Sequence, residues 1–458
     1  MDTSVEEHEL GPADRPLGFC LKCTHQLHAG GDECCPECGA TFNSRVTRSY
    51  YAFKPGWVAR RLLSSPGLLW WVAFSLLSIY LLAAMSAPGG YLIAEILGGF
   101  ALAVAVALYI LSLACSFLAG MPTWTKPATS TALPSYRVAQ IVVDSGLLPP
   151  GAWAFQCGGV GDLLDHLGSQ DVVAFTGSAA TGRRIREHAG ILSRSVRVNV
   201  EADSINAAVL APDVEPGEAT WDLALSNLAT DITQKAGQKC TAVRRIFVPE
   251  QHADALLEDL GAELGRYRMG DPGERDTRVA PVAPGQIDDV MAGLERLKEA
   301  ADVVQGGARP EGPGAFLEPT LLRAKDAEAE VLHSLEVFGP VSTIVPYSGS
   351  AEDAARLANL GGGGLVISLY SDDAAWTESV TLGVAPWHGR VWIGSKRMAE
   401  QALAPGMVLP QMIHGGPGRA GGGEELGGLR GLDFYTQRVA LQGFQGFLDG
   451  RFGPAEES

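Results

Sequence analysis

Little of this sequence is charged. Of its 458 residues 19% are Asp, Glu, Lys or Arg, against 46% hydrophobic, a balance that excludes a disordered chain. Positive charge is scarcer still: 35 basic residues face 52 acidic ones, leaving a formal charge of −17 with no long basic run. Binding to nucleic acid by phosphate neutralisation is therefore not expected. The N-terminus lacks the basic start of a secretory signal, carrying instead Asp2, Glu6, Glu7 and Glu9. The 56 glycines follow no Gly-X-Y period, so they belong to loops that need close backbone approach or positive φ. The length corresponds to about three domains.

Cysteine is sparse except at one place. Five of the eight fall between Cys20 and Cys38, and Cys115, Cys157 and Cys240 stand alone. A disulfide framework would spread its pairs through a small secreted domain, so a metal cluster in a reducing compartment is the expectation. Cys20 with Cys23 and Cys35 with Cys38 form two Cys-x-x-Cys pairs, each able to wrap one side of a structural zinc ion in a closed four-thiolate shell. His25, His28 and Cys34 are competing ligands, although Cys34 adjoins Cys35.

Two uncharged runs follow, Leu68 to Ser86 and Ile96 to Leu118, separated by Ala87-Pro88-Gly89-Gly90. Each exceeds the roughly 18 residues that cross a bilayer as a helix, so a transmembrane hairpin is expected. Arg45, Arg48, Lys54, Arg60 and Arg61 precede it, and Lys126 and Arg137 follow it. Both flanks then stay on the cytoplasmic side, and the chain would sit at the cytoplasmic membrane. If the runs are buried soluble helices instead, the protein is cytoplasmic.

Beyond residue 120 short β-branched runs alternate with helical spacing. Asp171–Phe175, Ser195–Val200, Ala207–Leu210 and Arg245–Val248 read as strands. Val138, Ile141 and Val142, then Leu256, Leu257, Leu260 and Leu264, recur as on helices. The pattern is that of a parallel α/β sheet, whose ligands lie at the carboxyl ends of its strands. Phe175-Thr-Gly-Ser178 with Gly182 suits a pyrophosphate at a helix start. Gly237-Gln-Lys-Cys240 places a thiol in a loop, and Glu201 follows an apolar strand. Each alone has an ordinary structural explanation.

In order, Lys126-Pro-Ala, Phe175-Thr-Gly-Ser178, Glu201, Gly-Gln-Lys-Cys240 and Glu336-Val-Phe338-Gly-Pro-Val341 resemble the aldehyde dehydrogenase superfamily. Arg197–Asp203, Gly237–Arg245 and the run from His414 to Arg430 look like the branch acting on coenzyme A-linked semialdehydes in aromatic catabolism. That branch includes the dehydrogenase part of phenylacetate ring-opening bifunctional proteins and the 3,4-dehydroadipyl-CoA semialdehyde dehydrogenases.

The resemblance implies that Cys240 attacks an aldehyde and that Glu201 activates the water releasing the thioester. A free thiol ionises near 8.5, so the site must favour the anion. Lys126 would hold the adenosine ribose, Gly177, Ser178 and Gly182 the pyrophosphate turn, and Glu336 with Phe338 the nicotinamide end. Thr129 stands where many NAD-using members carry glutamate, which favours NADP, with NAD as the alternative. A CoA-linked aldehyde and a homo-oligomer are further implications.

The family's leading strands and a Phe-Asn-Phe-Pro-like segment are not found before Lys126; the expected fold is an incomplete aldehyde dehydrogenase-like one. The expected domains are a zinc ribbon with an acidic tail (1–45), a basic linker and membrane hairpin (46–120), a partial cofactor domain (121–238), a catalytic domain (239–405) and a glycine-rich return segment (406–458). The rival expectation is a catalytically impaired, membrane-anchored zinc-ribbon fusion whose dehydrogenase part is only a binding or assembly surface.

Overall fold

The computed structural model describes residues 16–20, 26–28, 50–51, 122–146, 148, 150–398, 404–407, 414–423 and 428–452. They fall into two compact units, one up to Gly159 and one from Val160 onward.

In the first unit β1 (Pro16–Cys20) pairs antiparallel with β2 (Gln26–His28) and β3 (Tyr50–Tyr51). The backbone of Cys20 ends β1; the other zinc-ligand candidates Cys23, Cys35 and Cys38, and both apolar runs, lie outside the described residues. Among the described residues no helix is long and apolar enough to cross a membrane. A second, two-stranded parallel sheet joins β4 (Thr123–Thr125) to β5 (Trp153–Phe155), with the helix Ala132–Asp144 between them in the chain. That helix buries only Ala139, while Leu133, Ile141 and Val143 are 73%, 69% and 67% exposed.

The second unit begins with the parallel pair β6 (Val172–Thr176) and β7 (Arg197–Glu201). Glu201 is the last strand residue rather than the one after it, because the ladder continues to Thr176↔Glu201. The main sheet contains β8 (Asn206–Leu210) and β9 (Val243–Pro249); the short pair β10 (Arg268–Met269) and β11 (Thr277–Val279) stands apart. β12 (Ala301–Gln305), β13 (Thr320–Ala324), β14 (Val341–Tyr347), β15 (Gly364–Tyr370) and β16 (His388–Gly394) complete it. Its order is β12-β13-β14-β9-β8-β15-β16, parallel throughout except where β12 meets β13.

Successive side chains of a strand point to opposite faces, and both faces here are apolar. Ala208, Leu210, Ile246 and Val248 pack with Trp221, Leu228, Leu256 and Leu260 of the helices Ala219–Thr233 and Ala253–Gly265. Ala207, Val209, Phe247, Ile367 and Leu369 pack with Leu357, Val380 and Val384 of the helices Ala351–Asn359 and Ala374–Val384. Full burial on two sides explains why these strands read as continuous apolar runs. The result is a three-layer α/β/α body with β9 and β8 near its centre.

Candidate active site

Cys240 lies between the end of the helix Ala219–Thr233 and the start of β9. The connection is tightly bent: Lys235, Ala236 and Gly237 have φ of 55°, 53° and 68°. Left-handed backbone at two non-glycine residues is costly and persists only where the surroundings impose it. A Cβ on Gly237 would stand 2.1 Å from the carbonyl oxygen of Gly339, so only glycine fits there.

Two buried side chains hold the connection, one at the bend and one just after it. Arg244 donates through Nη1 to Gly339 O (2.8 Å) and through Nη2 to Gly237 O (2.9 Å). Asn206, wholly buried at the head of β8, donates through Nδ2 to the carbonyls of Cys240 (2.8 Å) and Ala242 (3.0 Å). Its Oδ1 accepts from Ser204 Oγ (2.6 Å) and Val366 N (3.1 Å). The half-buried thiol of Cys240 is thereby anchored to the central sheet.

Glu201 enters from the carboxyl end of β7, as expected for a ligand-facing strand end. His414 is carried to it by the glycine-rich segment 414–423, whose first part packs main chain against main chain on Gly362–Gly364 and Gly389 and whose last part, 420–423, does so at the end of β7. Ala202 N donates to Ala420 O (3.0 Å) and Gly423 N to Val200 O (3.1 Å). A Cβ on Gly421 would lie 2.3 Å from Val200 O, which explains glycine at that contact.

The three side chains meet. His414 Nε2 lies 3.7 Å from Cys240 Sγ and 3.3 Å from Glu201 Oε1, with the His414 and Glu201 side chains 16% and 17% exposed. Sγ, Nε2 and Oε1 are all within 4.8 Å of one another. The approach to Glu201 is an ion-pair distance rather than an aligned hydrogen bond, since Oε1 has no hydrogen-bond partner. Burial opposes a charge on His414, but the contacts with Cys240 and then Glu201 overcome it and raise the imidazole to about 10.

The nicotinamide-end candidates adjoin this cluster. Glu336 Oε2 accepts from Ser204 N (3.3 Å), and Oε1 lies 3.7 Å from Arg244 Nη2. The Arg244 guanidinium is 5.4 Å from the ring centroid of Phe338. Burial pushes the Glu336 carboxyl up to about 7, with Arg244 opposing and Asp203 assisting. A buried carboxylate of this kind keeps lone pairs that suit the hydroxyl donors of a ribose.

Ser178 caps the helix Ala179–Arg186, its Oγ accepting from Thr181 N (3.3 Å), and Gly177 N donates to Glu201 O (3.1 Å). Ala179 N is taken by Asp203 Oδ1 (2.8 Å), so a pyrophosphate there would share the helix start with a carboxylate. Gly182 faces β7, where a Cβ would meet Val200 Cγ1 at 2.8 Å; its smallness brings helix and strand together. Lys126 and Thr129 belong to the first unit. Lys126, half-buried just after β4, donates through Nζ to Pro127 O (2.8 Å), and Thr129 is exposed at the start of a short turn.

Three residues escaped the sequence reading. His414 opened a motif quoted only as a branch signature, yet it touches both expected catalytic groups. Asn206 begins β8 and Arg244 lies second in β9; in the sequence a polar residue at such a place looks like an ordinary strand end, and only the fold shows both to be buried hydrogen-bonding groups.

The sequence pattern of the family described as "Aldehyde dehydrogenase family" matches residues 103–440. The chain is 43% identical over 311 residues to the 3,4-dehydroadipyl-CoA semialdehyde dehydrogenase of Aromatoleum evansii, covering 66% of this chain and 60% of that one. It is 32% identical over 291 residues to the geranial dehydrogenase of Castellaniella defragrans, covering 61% and 59%. Among solved structures, an aldehyde dehydrogenase from Burkholderia cenocepacia superimposes with a TM-score of 0.62 at 29% identity, covering 70% and 63%. Betaine aldehyde dehydrogenase from Staphylococcus aureus in complex with NAD+ gives 0.60 at 26% identity, covering 69% and 60%. The chain thus spans about three fifths of the length of such relatives.

Proposed function

We propose that this chain, which belongs to the aldehyde dehydrogenase family, oxidises an aldehyde to a carboxylate through a covalent intermediate on Cys240. The observation that carries the reading is the meeting of the Cys240 thiol with the Glu201 carboxylate in one cluster beside Glu336. The sulfur attacks the aldehyde carbon and gives a thiohemiacetal. A bound nicotinamide dinucleotide supplies the hydride acceptor. The resulting thioester is opened by water deprotonated by Glu201, which returns the thiol and releases the acid. Asn206 and Arg244 hold the nucleophile's backbone throughout.

The cofactor is NADP in this reading. Thr129 puts no carboxylate against a ribose 2′-phosphate, and Lys126 offers a cation. Glu336 would accept from the nicotinamide ribose, Phe338 would flank the ring, and Gly177, Ser178 and Gly182 would shape the pyrophosphate turn. The substrate class proposed is a CoA-linked semialdehyde. Its support is the likeness of residues 197–203 and 414–430 to that branch and the name of the A. evansii relative. Purified full-length protein assayed with a simple aldehyde and NADP tests the reading: turnover that vanishes in Cys240→Ser supports it, and a clear preference for NAD would overturn the cofactor assignment.

A second reading has its own observation. The exposed apolar face of the helix Ala132–Asp144 beside a two-stranded sheet suits a fold lacking partners, and hence an inactive fusion serving as a binding surface. Cofactor binding without any turnover would favour it. Zinc held by Cys20, Cys23, Cys35 and Cys38, a hairpin at the cytoplasmic membrane and self-association are proposed with either reading. The family match starts at residue 103, within the second apolar run, so dependence on detergent for extraction decides the hairpin.

A further inference from the structure

The attack on an aldehyde requires the sulfur of Cys240 to give up its proton. Glu201 is the base assigned above to the hydrolytic water, whereas the hydrogen-bonding contact recorded for the sulfur is with His414 Nε2, at 3.7 Å. We propose that His414 is the group that takes this proton: the S–H bond of Cys240 breaks as an N–H bond forms at Nε2, and the imidazolium is then held between the sulfur and the Glu201 carboxylate. In the attack that follows, the sulfur forms its bond to the aldehyde carbon, and the carbonyl electron pair moves to oxygen. The inference rests on the reading of Cys240 as nucleophile.

The surroundings distinguish His414 from the structural histidines of the same unit. His333 is satisfied at both nitrogens, Nε2 on Ala327 O and Nδ1 against Arg245. His388 Nδ1 bonds Val384 O. Burial drives both down to about 4, so each is a neutral core imidazole. His414 is less buried, with its side chain 16% exposed, and presents one nitrogen to two acidic groups, while Nδ1 has no hydrogen-bond partner. Once Nε2 holds the proton from Cys240, the contacts with Cys240 and Glu201 favour the charged imidazole against burial.

Other charges nearby are committed elsewhere. Arg244 serves Gly237, Gly339 and Glu336, and Lys239 pairs with Asp231. Arg419, on the segment of His414 itself, donates to Ser334 O (3.0 Å) and faces Asp203. Cys240 and Glu201 are therefore the acidic groups facing the imidazole among the described residues.

Because both partners address the same nitrogen, its N–H can point to one at a time. In the resting site it serves the sulfur; once the sulfur is acylated, that charge is gone and the N–H is free to turn toward Glu201.

The test is alkylation of Cys240 by iodoacetamide in the full chain, followed by peptide mass spectrometry from pH 6 to 9.5. In the wild type the rate is expected to vary little across this range. In His414→Gln it should fall by about tenfold or more at pH 6.5 and converge on the wild type near pH 9.5, as for an unassisted thiol. Identical pH profiles for the two proteins would overturn the proposal. Should His414→Gln not fold, the ultraviolet thiolate absorbance of wild type minus Cys240→Ser at pH 6.5 decides: its presence supports the pair and its absence rejects it. Neither measurement uses aldehyde or nicotinamide. A reactive Cys240 without dehydrogenase turnover would strike the proposed function and spare the pair.

Discussion

The side-chain amide of Asn206 donates to the main-chain carbonyl of Cys240 at 2.8 Å, joining the first residue of a central strand to the proposed nucleophile. The same amide reaches Ala242 and Val366. One buried side chain thus ties three segments together, and the thiol is placed by the sheet rather than by its own loop.

Replacing Asn206 by alanine would strand the carbonyls of Cys240 and Ala242 and the amide of Val366 in a dry interior. The expected loss is about 2–4 kcal/mol of stability, read by urea denaturation, together with a fall in turnover. A variant as stable as the wild type would show that water or a backbone shift replaces the amide.

Gly237→Ala meets two obstacles at once, a left-handed φ of 68° and the Gly339 carbonyl. It should cost about 1–3 kcal/mol or more and lower Cys240 alkylation as the loop moves. Unchanged alkylation together with unchanged stability would contradict the placement of this turn.

The two halves of the proposed reaction separate by mutation. Glu201→Gln should retain a burst of NADPH of about one equivalent per chain and then turn over about 10²- to 10⁴-fold more slowly, since hydride transfer precedes the step that needs the base. Cys240→Ser should give no burst. Stopped-flow absorbance distinguishes them, and a missing burst in active Glu201→Gln would reassign the base.

Glu336 gives a signed dependence on pH. Burial raises its carboxyl from 4.5 to about 7, so between those values the folded chain holds more protons than the unfolded one. Stability through this group is greatest below about 4.5, falls as pH rises, and reaches its floor above about 7. Denaturation midpoints of wild type and Glu336→Gln, compared across this window, should diverge in that sense. A difference that stays level with pH would argue against a carboxyl raised by burial.

The proposed zinc ribbon makes a stoichiometric statement. Elemental analysis of the full chain should find about one zinc per molecule, lost in Cys35→Ser, because removing one thiolate opens the shell. A metal-free chain with those four thiols reduced would discard the assignment.

Chemistry carried by residue type was legible in the sequence. The strands around 172–176, 197–201, 206–210 and 243–249 announced themselves by apolar runs, and Cys240 and Glu201 by their order among the motifs. The meeting of His414 with Cys240 was not legible, because the two lie 174 positions apart and the segment that carries His414 approaches through main-chain contacts that leave no periodicity. Asn206 was hidden differently: the apolar strand reading began one residue after it, and a polar residue at a strand start resembles any solvated end. The exposed face of the helix Ala132–Asp144 was equally invisible, since apolar spacing tells which residues want burial and not whether they obtain it.

The segment that delivers His414 has a consequence of its own. It lies against Gly362–Gly364, Gly389 and the end of β7 through peptide groups, with glycines where a methyl would collide, so its register is counted in residues. Exchanging most side chains elsewhere in the molecule would leave that count intact. A single insertion or deletion between His414 and Gly423 would not, and would move the imidazole away from sulfur and carboxylate together. Variation of length, more than variation of composition, is the hazard against which this stretch of chain stands guard.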